Sequence, residues 1–362
     1  MIKIRRKIPD FAAWSHILSY IPERSLFFDI ETTGLSAASS SLYLIGSIGL
    51  DGSDWMLCQW LADDPSEEEM VLTSFLEYAS GYDTMIHFNG STFDLPFLSK
   101  KCSHYHLADG LAEKGSLDLY LKFRPLKALL GLEHMNQTAL QAFLGLKRAD
   151  TMDGKELIPV YKKYVSGTAP ELSEPLLLHN EEDLLGMTQI LPMAAYLALM
   201  NGDIRMESCR MTEDICSHMQ TAVLSFRPAN VLPQPVSIQI CNSCLLECDA
   251  SRGSLRIPVF QGTLLYFFEN YRDYYYLPLE DQAVHKSVAA FVDRQHRQPA
   301  RPANCYTRKS GCFLPQPEAI LVPSFRSSWK SRQLYAEYDP VWETDAGPLL
   351  KYVRAMLRCI KK

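Results

Sequence analysis

The stretch Phe27-Phe28-Asp29-Ile30-Glu31-Thr32-Thr33-Gly34-Leu35 constrains the fold more than any other part of the chain. Apolar Leu26 to Phe28 run into two acids, two threonines and a glycine, the pattern of a buried strand that ends in charge and turns sharply. Side chains alternate along a strand, so Asp29 and Glu31 point to the same face. Alone, an Asp-x-Glu at a strand end is a solvated turn. At the end of a core strand, two neighbouring carboxylates repel, and each needs a proton or a cation. A hard divalent ion with oxygen ligands, typically magnesium or manganese, satisfies both. Partners for the pair appear twice downstream.

Leu42 to Leu50 and Asp54 to Leu61 are β-prone runs separated by Asp51-Gly52-Ser53, which punctuates a hairpin. A helix is predicted from the capping region Asp63-Asp64-Pro65-Ser66 through Glu67-Glu68-Glu69 to about Ala79. Thr84 to Phe88 is a fourth strand, parallel to the first after a helical crossover. It breaks at Asn89-Gly90, where Ser91 or Thr92 is placed to cap a helix with Phe93, Phe97 and Leu98 as its apolar stripe. Asp94 then lies in the first turn, as a helix-dipole acid or as a third carboxylate facing Asp29 and Glu31. Asp118 opens a strand-like segment and is a candidate supporting residue. After apolar helical pieces to Leu144, a polar turn from Lys147 to Lys155 leads into a short helix, Glu156 to Val165. A long helix is read from about Ser173 to Leu199, carrying His179 and Asp183 one turn apart on one face.

Composition excludes several classes. With 362 residues, 47% of them hydrophobic and 22% charged, the chain can bury a full core. The apolar run Ile190 to Met200 is interrupted by Pro192 and is too short to span a bilayer. The basic start Met1 to Lys7 lacks the apolar segment of a signal peptide, so the ten scattered cysteines are expected as reduced thiols in the cytoplasm. A zinc site at Cys241-x-x-Cys244 needs a second pair at like spacing, and none is present, so these cysteines are read as small hydrophobes. Residues 1–200 hold 16 Lys and Arg against 26 Asp and Glu, a net −10, whereas residues 201–362 hold 20 against 16, a net +4. An acidic half suits metal ions and a basic half suits a polyanion. Three regions are expected: an amphipathic leader at 1–24, a catalytic domain at 25–200, and a β-rich domain at 201–362.

Together, Asp29-x-Glu31, Asn89-x3-Phe93-Asp94 and His179-x3-Asp183 resemble the three motifs of the DEDD superfamily of 3′→5′ exonucleases. The middle motif looks most like the proofreading domain of B-family DNA polymerases. Over residues 25–200 the chain is similar to the YprB-like ribonuclease H-like proteins, which share its His-Asn-x-x-Asp third motif. One departure is that His179 stands at the spacing used by the tyrosine-containing exonucleases.

The resemblance implies an α/β fold, a ribonuclease H-like mixed sheet flanked by helices, followed by a C-terminal α+β region. It implies a two-metal phosphodiesterase in which Asp29, Glu31, Asp94 and Asp183 hold two Mg²⁺ or Mn²⁺ ions about 4 Å apart. His179 is then the catalytic residue that orients or deprotonates the water. Thr32, Leu35, Asn89 and Phe93 fall on the substrate side, where Asn89 places the terminal nucleotide and Leu35 and Phe93 wedge or stack the last bases. The expected substrate is the 3′ end of single-stranded DNA or RNA. Two other readings stand beside it: a catalytically weak nucleic-acid-binding or regulatory protein, and a structure-specific endonuclease.

In residues 201–362, β-rich Val236 to Phe268 precede the aromatics Tyr271, Tyr274, Tyr275 and Tyr276. A helix is expected to carry His285, Lys286, Arg294, His296 and Arg297, followed by Arg301 and a turn at Thr307-Arg308-Lys309-Ser310-Gly311. This fits either a single-strand binding surface or a solvated helix beside a tyrosine-rich strand.

Overall fold

The computed structural model describes residues 1–8, 19, 21–150, 152–167, 169–213, 219–241 and 244–361. The chain divides into two units, one of residues 1–127 and 132–194, the other of residues 128–131 and 195–362.

The first unit is built on a six-stranded sheet: β1 (Ile2–Lys7), β2 (Ser25–Thr32), β3 (Leu42–Asp51), β4 (Asp54–Leu61), β5 (Thr84–His87) and β6 (Gly115–Asp118). Their order is β1-β4-β3-β2-β5-β6. The β2–β3–β4 meander is antiparallel, as short turns require, and β5 joins β2 in parallel after helix α1 (Glu68–Ala79). This is the α/β mixed sheet that the sequence predicts. The amino terminus differs from the expected leader: Ile2 and Ile4 alternate with Lys3 and Arg5 on an edge strand paired to β4. The remainder of the predicted leader lies mostly outside the described residues.

Alternation along β2 sorts its side chains. Leu26, Phe28 and Ile30 are buried with Val71, Leu72 and Phe75 of α1 and with Phe97 and Leu98 of α2 (Asp94–His104). Each such burial is worth about 1.5–3 kcal/mol. Asp29 and Glu31 turn to the other face, toward helix α7. The chain reaches it through α3 (Leu119–Phe123), α4 (Lys127–Leu130), α5 (Gln137–Phe143) and α6 (Gly154–Val165), and α7 itself is Ser173–Gln189. Gly46 of β3 pairs with Asp29. A Cβ at Gly46 would stand 1.9 Å from Asn180 Oδ1 and 2.7 Å from Leu184 Cδ1, so glycine here lets α7 lie directly on the sheet.

Two local expectations are corrected. Neither Ser91 nor Thr92 caps α2. Its N-cap is Phe93, with no side-chain cap, while the Thr92 hydroxyl donates back to the Asn89 carbonyl at 3.0 Å. The long helix is also interrupted: α7 ends at Gln189, a 3₁₀ turn spans Leu191–Met193, and α8 resumes at Ala194–Asn201. Pro192 has no N–H to continue the ladder. By composition the run Pro170–Asn201 is long and apolar enough to cross a bilayer, but 67% of its apolar window is buried, as in a core helix.

The second unit is rich in strands. β7 (Ile204–Glu213), β8 (Gln220–Pro228), β9 (Val236–Ile240), β10 (Cys244–Cys248) and β11 (Gly253–Pro258) form an antiparallel sheet ordered β7-β8-β11-β10-β9. β12 (Phe260–Phe267), β13 (Tyr274–Leu277), β14 (Gln282–His285), β15 (Gln298–Pro299), β16 (Tyr306–Gln316), β17 (Ser324–Phe325) and β18 (Leu334–Glu337) make two smaller sheets, with α9 (Lys286–Ala289) and α10 (Leu350–Arg358). The basic residues from His285 to Arg297 do not share a helix. His285 ends β14, α9 holds four residues, and Arg294–His296 is a 3₁₀ turn. Thr307 to Gly311 lies inside β16 rather than in a turn. Cys244 and Cys248 are buried on β10, and burial pushes both thiols up to about 12.

Candidate active site

Three segments distant in sequence meet at the end of β2. Asp29 and Glu31 come from the strand, Asp94 from the first turn of α2, and His179 and Asp183 from successive turns of α7. The Asp94 carboxylate accepts the backbone N–H of Ile30, the residue between the two strand acids. His179 Nε2 lies 3.5 Å from Glu31 Oε1 and 3.4 Å from Asp183 Oδ2. Ligand atoms of Glu31, His179 and Asp183 all stand within 4.8 Å of one another.

The electrostatics follow from burial and crowding. Asp29 and Glu31 are held well above the usual carboxylate range, first by desolvation and then by the charge of Asp183 and of the other acids. Asp94, 8% exposed, is pushed up to about 7, chiefly by burial, even though two backbone N–H groups favour its charged form. The Tyr43 ring, stacked on Tyr161 at 4.1 Å, brings its hydroxyl toward Glu31, and burial raises this phenol strongly.

Each group is held by residues that periodicity does not mark. Asn180 is fully buried, and its Nδ2 donates to Asp29 Oδ2 at 3.0 Å. Its Oδ1 accepts from Gln59 Nε2 at 3.0 Å, and Gln59 also donates to the Leu177 carbonyl at 2.9 Å, so amide and helix orient Asp29 together. His179 Nδ1 lies 2.7 Å from Asp150 Oδ2. With Nδ1–H donated to Asp150, Nε2 is left as an acceptor facing two carboxylates. Acceptor atoms converging this closely call for a proton or a cation among them, and hard oxygens with one imidazole suit Mg²⁺ or Mn²⁺. The donor set therefore fits a divalent ion.

The run Glu181-Glu182-Asp183 sends three acids in three directions, because successive helical residues are about 100° apart. Glu181 pairs with Arg6 of β1. Glu182 accepts the backbone N–H groups of Ala149 and Asp150 at 3.0 and 3.2 Å, fixing the loop that carries Arg148 and Asp150. Asp183 faces the cluster, where Arg148 Nη1 approaches its Oδ1 at 2.5 Å.

Asn89 sits at φ +62°, a left-handed conformation that asparagine tolerates. Its N–H donates to Asp118 Oδ1 at 3.0 Å, and the Ser91 N–H to Oδ2 at 3.3 Å. Asp118 also caps α3 by accepting from Tyr120 and Leu121. Burial alone would raise Asp118, but the Ser91 side chain and the N–H donors hold it below the usual carboxylate range. It fixes the turn before Asp94 without joining the acids.

A cavity of about 910 Å³ opens on this cluster, lined by Asp29, Asn89, Tyr120, Arg148, His179 and Asp183 among others. That lies within the ~300–1,000 Å³ of small-molecule sites. Thr32, Leu35 and Phe93 are not in its lining. The Thr32 hydroxyl donates to the Gly34 carbonyl at 2.9 Å, Leu35 is 85% exposed on the following turn, and Phe93 packs on Phe97 in the core. The aromatic wall comes from Phe88 and Tyr120, whose ring centroids are 5.9 Å apart. Gln59, Asp150 and Arg148 carry no sequence signal. Asn180 does, standing beside His179 in the third motif.

Residues 26–194 match the family model of the RNase_H superfamily. The chain is 29% identical over 187 residues to the uncharacterized protein YprB of Bacillus subtilis (strain 168), a match over 49% of this chain and 44% of that protein. It thus spans less than half the length of this relative. Among solved structures, E. coli exonuclease I in complex with a dT13 oligonucleotide is similar at 14% identity, over 56% of this chain and 55% of that one, with a TM-score of 0.29. The family B DNA polymerase of Pyrobaculum calidifontis is similar at 12% identity, over 70% and 35%, with a TM-score of 0.33. Both structural likenesses are slight, and neither bears on function. From the sheet order, the three motifs and the family match, residues 26–194 form a ribonuclease H-like domain that is similar to YprB.

Proposed function

We propose that this domain is a metal-dependent nuclease that removes nucleotides from the 3′ end of single-stranded nucleic acid. The observation that carries the reading is that Asp29, Glu31, Asp94 and Asp183, from three distant segments, lie close enough for their charges to act on one another, beside a cavity that Asp29 and Asp183 line. Those four carboxylates would hold two Mg²⁺ or Mn²⁺ ions. When bound, the ions supply acidity to a water and positive charge to the departing 3′ oxygen. The chain's own groups do the rest. Asp150 holds Nδ1–H of His179, which leaves Nε2 to accept the proton of the attacking water. Asn180 and Gln59 keep Asp29 in one orientation. Asn89, Phe88 and Tyr120 line the cavity, where Asn89 would meet the terminal nucleotide and the two rings would stack on a base.

The test is hydrolysis of matched 3′-labelled DNA and RNA oligonucleotides with Mg²⁺, Mn²⁺ or chelator. The expected result is chelator-sensitive release of mononucleotides from the 3′ end, abolished in Asp29→Ala and Asp183→Ala. Cleavage of a circular strand would replace the exonuclease assignment by an endonuclease one. Full activity in either variant would remove the assignment of the acids.

A further inference from the structure

We infer that Arg148 is the residue that grips the scissile phosphate. This rests on the nuclease reading above but concerns a group which that reading leaves idle. Among the described residues that line the cavity, Arg148 carries the one permanent positive charge. The acids that line the cavity with it, Asp29, Asp150, Asp153 and Asp183, would repel a phosphodiester. A polyanion therefore needs cations within the cavity.

The placement of the guanidinium is informative. It is 13% exposed and makes one short contact, Nη1 to Asp183 Oδ1 at 2.5 Å. Its other partners are distant: Asp150 Oδ2 and Gln141 Oε1 at 3.5 Å, and Glu182 Oε2 at 3.7 Å. A structural arginine buried among acids ordinarily takes a bidentate pair at hydrogen-bond distance. Here the hydrogen bonds to Asp150 and Gln141 are long and the guanidinium has no bidentate partner, and the one short contact falls on a carboxylate that the nuclease reading gives to metal. Arg148 thus stands where a cation is needed at Asp183. Were a metal ion to take that carboxylate, the guanidinium, which lines the cavity, would be free to donate two parallel hydrogen bonds to the non-bridging oxygens of a phosphodiester. Glu182 sets the reach by holding the backbone of Ala149 and Asp150. The ligand is a phosphodiester or terminal phosphate anion, and the contribution is stabilisation of charge on its oxygens.

The experiment compares wild type, Arg148→Ala and Arg148→Lys in three measurements: kcat on a 3′-labelled oligonucleotide, Mn²⁺ affinity by calorimetry, and affinity of the Mn²⁺-loaded protein for thymidine 5′-monophosphate. For Arg148→Ala we expect kcat to fall about 10²- to 10³-fold, as for loss of one transition-state donor. The nucleotide should bind about tenfold more weakly, while Mn²⁺ should bind as tightly as in wild type or more so, because a competitor for Asp183 has gone. Arg148→Lys keeps the charge without the fork and should recover part of the nucleotide affinity and little of kcat. Wild-type kcat and nucleotide affinity in Arg148→Ala would overturn the inference. So would a large loss of Mn²⁺ affinity, which would make Arg148 a residue that positions metal ligands. A wild type that hydrolyses nothing sinks the nuclease reading alone, because the nucleotide-binding arm still decides the role of Arg148.

Discussion

Asp94→Asn should make the metal-free protein more stable in neutral and alkaline solution while removing its activity. Burial lifts the Asp94 carboxyl from an ordinary 3.8 to about 7. That gap is about 3 pH units, each worth ~1.36 kcal/mol. An unfolded chain releases this proton near 3.8 and the folded chain near 7, so between those values the folded state carries the extra proton. Stability therefore falls as pH rises through the window, and the full penalty, of order 4 kcal/mol, is reached above pH 7. Asparagine has no charge to desolvate and keeps an oxygen for the Ile30 N–H. It also relieves Asp29 and Glu31, which feel the Asp94 charge. The assay is urea unfolding in chelator at pH 5, 7 and 9. Wild type should lose several kcal/mol across the series, and the variant clearly less, so that it becomes the more stable protein at pH 9. Excess Mn²⁺ should reverse the order by neutralising the acids in wild type. Parallel pH dependences for the two proteins in chelator would refute the argument.

Three further outcomes follow from the same geometry. Mn²⁺ must displace protons from Asp29, Glu31 and Asp94, so its affinity should rise from pH 6 to pH 8 with a buffer-dependent heat of proton release; an affinity flat in pH would contradict this. Gly46→Ala places a methyl against Asn180 and Leu184 and should cost about 1–3 kcal/mol in chemical denaturation, with weaker Mn²⁺ binding because Asp29 loses its partner; an unchanged unfolding midpoint would show that α7 does not need this close seat. Asn180→Ala leaves a Gln59 donor and an Asp29 oxygen unmatched, a loss of about 1–3 kcal/mol readable in the same assay.

The strands and the three motifs were legible because they depend on local pattern. Alternation fixed the face of Asp29 and Glu31, helical spacing paired His179 with Asp183, and the apolar-then-Asn-Gly sequence marked where β5 stops. Residues whose roles come from tertiary contact left no such trace. Asp150 and Arg148 lie in a polar turn and gain meaning only when Glu182, 32 positions from Asp150, holds that loop beside the acids. Gln59 reads as one polar residue in an apolar strand until Asn180, 121 residues away, is seen to need it. Helical spacing put Phe93 in the apolar stripe of α2, where it does pack on Phe97; only the resemblance gave it to the substrate side. It joined the core, and Phe88, one residue past β5, took the cavity. The helix expected through Leu199 failed at Pro192, a breaker plainly present in the sequence.

The acidic triplet on α7 has a consequence for variation in this chain. Glu181, Glu182 and Asp183 look interchangeable in composition, yet one grips an edge strand, one anchors a loop and one enters the cavity. An insertion or deletion of a single residue upstream in that helix would hand each task to a side chain of the wrong length, pointing the wrong way. Frame within the helix is thus a tighter constraint than charge: α7 should accept substitutions on its outer face far more readily than any change in its length.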